Sequence, residues 1–316
     1  MLRAIRIALT AVALAVSPSR GAAQQVPDRD FRPSVTAPRW PTAGGPRLCL
    51  DEAHHNFHTL DGRYAAFGAL AASDGFRVLP HRVAFSAAAL ANCDLLVIAN
   101  AQPSDAPWEQ YPVPTPSAFS EAEIDATRLW VERGGALLLI ADHMPLAGAA
   151  ARLAATFGFT FLDGFATAPV RRADSVRATL DRPALFRTAD STLRPHAIIR
   201  GVSAEAAVLS VRTFTGQAFQ APPRAEPLLV VPADWIMLLP TRAWQFSEST
   251  PTVAVGGWLQ GATLSVGAGR VAVFGEAAMF SAQRAGPERR PMGFNAPGAE
   301  RNAQFALNTL HWLVAR

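Results

Sequence analysis

Arg47-Leu48-Cys49-Leu50-Asp51-Glu52-Ala53-His54-His55-Asn56-Phe57-His58 joins a short apolar run to the most chemically dense loop in the chain. Residues 47–50 read as a buried strand. The eight residues behind them hold two carboxylates, three imidazoles and an amide. In open α/β sheets, ligands bind beyond the carboxyl ends of the strands. This one stretch therefore sets an expected fold class and an expected place for chemistry.

Working outward, strands and helices alternate. Residues 63–72 place Tyr64, Phe67 and Leu70 at helical spacing. Residues 76–79 form a short strand, 86–91 a helix with a serine cap, and 94–99 a strongly apolar strand. A Pro-rich loop, 102–116, precedes Ser120 and Glu123, whose spacing is that of a capping box. That helix runs through Ile124, Leu129, Trp130 and Val131 to Gly134-Gly135. Residues 136–140 are the next buried strand, 146–157 a helix stopped by Gly158, and 159–162 a further strand. The order βαβαβαβαβ calls for a doubly wound, mostly parallel α/β sheet covered on both faces, with right-handed crossovers. Regularity is lost over 166–261, which reads as an insertion or antiparallel extension. It returns with a strand at 270–275 and a helix at 302–314, so 47–316 reads as a single α/β domain.

At the amino end, Arg3 and Arg6, the apolar run 7–16 and Gly21-Ala22-Ala23 are the three parts of a secretory signal. Residues 1–23 are expected to be removed and the protein to be secreted or periplasmic. Residues 24–46 carry five prolines and few aliphatics, and are expected to be an extended leader with little structure. No stretch is apolar enough for long enough to span a bilayer in the mature form. All 29 basic side chains are arginine; without Arg3, Arg6 and Arg20, 26 face 25 acids, a net charge of +1. That balance carries no nucleic-acid footprint, and the lack of lysine excludes Schiff-base chemistry. Cys49 and Cys93 read either as two buried small side chains or as a disulfide of an oxidising compartment.

The strand assignments bring distant residues to one rim, because Asp51, Asn100, Asp142, His143 and Glu276 all fall at or just past carboxyl ends. Asp51, Glu52, Asp142 and Glu276, with His58 and His143, are the candidate catalytic set for general acid–base work. Asp142 also suits a helix N-cap. His55, Asn56, Asn100 and Gln217 are candidate ligand-binding residues. His55, His58, Asp142 and His143 are the residue types that a divalent metal such as zinc takes, although the HExxH spacing is absent; hydrogen-bonded loop histidines are the alternative. There is no Gly-x-Ser-x-Gly elbow, phosphate loop or dinucleotide fingerprint. Trp108, Trp235, Trp244 and Trp258 lie in loops or in the irregular region, where indoles either stack on a flat ligand or pack inward.

The motifs DEAHHNFHT (51–59), GGALLLIADHMP (134–145), HAIIRG (196–201), GRVAVFGEAAMFSAQ (269–283) and the terminal segment 302–313 resemble the class I glutamine amidotransferase-like superfamily. Within it they are most similar to a secreted bacterial group related to trehalose-utilisation-type and gliding-protein-associated domains. The resemblance spans almost the whole expected mature domain and implies a flavodoxin/amidotransferase-like sheet. It also implies that the turn after a central strand should hold a nucleophilic cysteine. Here that turn is Ala141-Asp142-His143, so hydrolysis of glutamine through a thioester is not expected. Two functions stay open. One is hydrolysis of a polar, saccharide-like envelope ligand by the rim carboxylates and imidazoles. The other is a non-catalytic module that binds a glycan or a partner protein.

Overall fold

Five parallel strands form the heart of a nine-stranded sheet, in the spatial order Arg77–His81, Arg47–Asp51, Leu95–Ala99, Ala136–Ile140 and Gly269–Phe274. This computed structural model describes residues 25–169, 176–180 and 182–315; the secretory signal expected at 1–23 lies outside them. The strand order is the 2-1-3-4-5 arrangement of flavodoxin-like folds. Its physical basis is visible in composition. Every residue of Leu95–Ala99 and Ala136–Ile140 is apolar and buried, as strands covered on both faces require. One face packs Leu48, Leu50 and Phe274 against Phe67 and Phe305 of the helices Ala65–Ser73 and Asn302–Val314. The other packs Leu96, Leu137 and Val273 against Ile124 and Leu153 of Glu121–Glu132 and Leu146–Thr156. Burying one such side chain contributes about 1.5–3 kcal/mol, a large share of the roughly 5–15 kcal/mol that separates a folded domain from its unfolded chain.

Beyond Gly269–Phe274 the sheet turns antiparallel, through Leu259–Val266 and Phe219–Gln220 to Thr160–Phe161, with Glu226–Val230 also paired to Leu259–Val266. The expectation that 159–162 continues the parallel series is thereby corrected. Gly269–Phe274 takes the place beside Ala136–Ile140, and Thr160–Phe161 sits at the far edge, where Phe159 and Phe161 pack against Phe219. The eight-residue strand Leu259–Val266 escapes sequence reading because Gly261 looks like turn punctuation. It is instead a close approach: a Cβ there would stand 2.8 Å from the Phe274 ring. Residues 166–261 are the expected antiparallel extension. Phe165–Thr167, Ile236–Leu238 and Thr252–Ala254 form a three-stranded sheet, and Ala184–Arg187 pairs with Ser210–Thr213.

The Pro-rich leader departs from expectation by docking on the domain. Val26–Pro27 pairs with the strand Ala282–Ala285, Asp28 is buried in an ion pair with Arg284 at 2.9 Å, and Trp40 lies edge-on to Phe76. Its prolines are tolerated because an edge strand leaves one row of donors unpaired in any case. Cys49 and Cys93 are bonded, the disulfide of the two alternatives, and tie the Arg47–Asp51 strand to the turn before Leu95–Ala99.

Candidate active site

The carboxyl ends of Leu95–Ala99, Ala136–Ile140 and Gly269–Phe274 open onto one small cavity of about 20 Å³, lined by His58, Asn100, Asp142, His143 and Glu276 together with Phe57, Trp108 and Trp244. Of the residues expected to converge on one rim, Asn100, Asp142, His143 and Glu276 line this cavity together, and Asp51 does not. The strand ends bring the residues to the rim, and short hydrogen bonds then fix them. Asn100 sits in the left-handed region (φ 53°), which asparagine tolerates better than most residues. There its Oδ1 accepts the Asp142 N–H at 2.9 Å, its N–H donates to the Ile140 carbonyl, and its own carbonyl receives the Phe57 N–H. Asn100 thus joins the loop that carries His58 to the turn that carries Asp142.

Glu276 follows the Gly269–Phe274 strand and is 1% exposed. Its two carboxylate oxygens accept the N–H groups of Ala278 and Met279, each at 2.8 Å. Burial, and after it the charge of Asp142, push its pKa well above the ordinary carboxylate value, against the pull of those backbone donors. Tyr64 lies close by; its hydroxyl donates to the Ala277 carbonyl, and burial followed by the Glu276 and Asp142 charges keeps it protonated.

His58 is wedged between the rings of Tyr64 (4.5 Å) and Phe57 (5.3 Å) and is 2% exposed. Neither of its ring nitrogens has a hydrogen-bond partner among the described residues. Burial, then the nearby Arg63 charge, lowers its pKa well below 6.5, so the ring is neutral. Such a doubly unsatisfied buried group is rare in folded proteins and is costly unless it serves a ligand. His143 is oriented differently. Its Nδ1–H donates to the Met144 carbonyl at 2.6 Å, and its ring stacks on Phe165 with Trp244 and Trp108 against it.

The first half of the loop does not reach the cavity. Asp51 is fully buried and accepts from the Ala53 N–H, His54 Nδ1 and Asn56 Nδ2 at 2.9–3.1 Å. Glu52 accepts the Leu60 N–H at 2.8 Å and pairs with Arg82. Asp51, Glu52 and Asn56 are thus engaged in holding the loop, which corrects their assignment to catalysis and ligand binding. His55, at φ 46°, points outward to Asp105. Gln217 lies behind the turn, donating to the Ala141 carbonyl at 2.9 Å, and supports the site without lining it. The residue that sequence reading left without a role is His54. It bridges Asp51 and Glu123 at 2.9 and 2.8 Å and so fastens the loop to the amino end of Glu121–Glu132. Its position three residues after a strand-terminal aspartate is the one signal that points to it.

The metal set His55, His58, Asp142 and His143 does not fit a single ion. Among the described residues, the only three such groups with ligand atoms within 4.8 Å of one another are Cys49, His81 and Cys93. His55 is turned away, and His143 Nδ1 is already engaged. A far larger cleft, about 920 Å³, lies at the opposite, amino-terminal end of the strands and is lined by Arg47, Arg77, Arg133 and Arg270. Arg47 pairs with Asp94, Arg77 donates to the Gly45 carbonyl, and Arg270 donates to the Trp312 carbonyl at the carboxyl end of Asn302–Val314, where a guanidinium offsets the helix dipole. That cleft has the charge of a structural seam, and the candidate site lies at the other end of the strands.

No protein-family model and no curated protein sequence matches the chain. Solved structures do resemble it. The mmIFT52 N-terminal domain aligns with a TM-score of 0.56 at 12% identity, over 85% of this chain and 98% of that one. A putative ThuA-like protein from Bacteroides uniformis aligns at 0.45 and 13% identity, over 89% and 94%. The cytoplasmic protein STM1381 from Salmonella typhimurium aligns at 0.48 and 14% identity, over 84% and 98%. At these identities the likeness concerns the fold alone. The alignment at 0.56 agrees with the fold, a large and mostly parallel central sheet of the α/β class, that the strand pairing displays.

Proposed function

We propose that the cavity is the active site of an exported hydrolase acting on a polar, saccharide-like ligand of the cell envelope, within the secreted amidotransferase-like group that the motifs resemble. The observation that carries this reading is His58: a neutral, buried imidazole with two unsatisfied nitrogens, in one cavity with Asp142 and a Glu276 whose pKa is raised. A carboxyl group whose pKa is raised, set beside a second carboxyl in one cavity, is a pairing that acid–base hydrolysis uses. Glu276 gives its proton to the leaving oxygen while Asp142 takes one from the attacking water, and His58 hydrogen-bonds a ligand hydroxyl. The cavity has room for one water, so the ligand enters by displacing the Trp108 and Trp244 indoles, which then lie against its apolar faces. Export is supported by the Cys49–Cys93 disulfide, a bond favoured in oxidising compartments.

One feature favours a second reading. With aspartate in place of a thiol at residue 142, the same pocket can hold a glycan, or a partner's side chain, without turning it over. A screen of glycoside, ester and amide substrates with the wild type, Asp142→Asn and His58→Ala separates the two. Turnover by the wild type that is lost in both folded variants supports the hydrolase. Saturable binding without turnover supports the module, and turnover retained in both variants removes the assignment.

A further inference from the structure

At the free edge of the parallel sheet, a second group of reactive side chains lies outside the carboxylate cavity. Cys49 sits inside the Arg47–Asp51 strand, Cys93 just before Leu95–Ala99, and His81 closes the edge strand Arg77–His81 opposite Asp51. All three are buried, and one ligand atom from each lies within 4.8 Å of the others. His81 Nδ1 is 3.9 Å from Cys93 Sγ, and its Nε2 has no hydrogen-bond partner among the described residues. A histidine that is 7% exposed, beside two sulfurs and with an unsatisfied nitrogen, has a donor set that the disulfide leaves unused. Two cysteines and a histidine are a common protein ligand set for zinc.

We propose that reduction of the Cys49–Cys93 disulfide unmasks a Cys2His zinc site formed by the two thiolates and His81. Around a tetrahedral ion with Zn–S bonds of about 2.3 Å, two sulfurs stand roughly 3.8 Å apart. The cysteine Cα atoms, 5.7 Å apart, span that distance by side-chain rotation. The steps balance. A dithiol reductant passes its two hydrogens to the disulfide and closes into its own cyclic disulfide, leaving two cysteine thiols. Zn2+ then displaces both thiol protons and cancels the charge of the two thiolates, which would otherwise be buried without a counter-ion. His81 gives the third bond, and a water completes the shell. The same three residues thus hold the edge strand covalently in an oxidising compartment and through an ion in a reducing one.

The test uses the full chain, reduced anaerobically with a phosphine, which becomes the phosphine oxide, and titrated with Co2+ as a spectroscopic probe for zinc. Reduced wild type is expected to take up one Co2+ per chain, with thiolate-to-cobalt charge transfer and the visible bands of a tetrahedral ion, both bleached by Zn2+. The oxidised protein should show neither signal. His81→Ala should bind at least about tenfold more weakly while keeping the charge-transfer band. Absence of that band in the reduced wild type, or unchanged affinity in His81→Ala, overturns the proposal. So does a reduced chain whose circular dichroism shows unfolding that the ion does not reverse.

Discussion

Replacing His54 with alanine isolates the carboxylate around which the loop 51–58 is wound. Asp51 has no exposed surface, and without the imidazole it keeps only the Ala53 N–H and the Asn56 amide as partners. Removing one member of a buried pair costs about 3–5 kcal/mol, and the two remaining donors place this case near the lower figure, about 3 kcal/mol. The pH dependence has a definite sign. Burial lowers the His54 pKa, but hydrogen bonds and charges from Asp51 and Glu123 outweigh it, so the folded value lies above the ordinary 6.5. The folded protein therefore binds this proton more tightly than the unfolded chain does. The contribution is complete below about pH 6.5 and is lost as pH rises through the folded value. Urea denaturation of wild type and His54→Ala should show a gap of about 3 kcal/mol near pH 6 that narrows toward pH 9. A gap under about 1 kcal/mol at pH 6, or one that widens with pH, refutes the reasoning.

Other expectations can be checked on the same material. Glu123 acts with the opposite sign: burial raises its pKa, but bonds from Ser120, His54 and the Phe85 N–H lower it to about 2, so its contribution is present above pH 4.5 and disappears as pH falls toward 2. Stability of wild type should therefore drop between those values more steeply than that of Glu123→Gln. Opening the disulfide, whose partners are 44 positions apart, should cost about 4 kcal/mol by the loop-entropy relation, read as a shift in denaturation midpoint between oxidised and reduced protein. His58→Leu removes two unsatisfied nitrogens and should leave stability unchanged or raise it by about 1 kcal/mol while ligand binding is lost; a loss above about 2 kcal/mol would show that His58 is structural.

How much was legible in the sequence differs between the fold and the site. The unbroken apolar runs at 95–99 and 136–140 and the Ser120–Glu123 box declare themselves through local chemistry, and the structure places them where the pattern does. The misplacement of Thr160–Phe161 has a different cause. Which strand fills the position beside Ala136–Ile140 is decided by the return of the chain more than a hundred residues later, and no local periodicity encodes that. The rim residues Asn100, Asp142, His143 and Glu276 were legible because each follows a strand end within three residues, and strand ends are readable. Within the loop 51–58, composition alone could not separate His58, which faces the cavity, from His54, which fastens the loop, or from His55, which points to solvent. That distinction depends on backbone geometry, including a left-handed residue at His55, and on Glu123 arriving from another helix.

The protonation of Glu276 tests the central claim most directly. A 13C NMR titration of its carboxyl carbon, assigned with Glu276→Gln, should show the acid form persisting well above the ordinary carboxylate range. In Asp142→Asn the midpoint should move down, because one of the two causes of the shift is removed while burial remains. A Glu276 carboxyl that titrates near 4.5 and ignores residue 142 would mean that the two acids do not share one buried pocket, and the acid–base site would not exist.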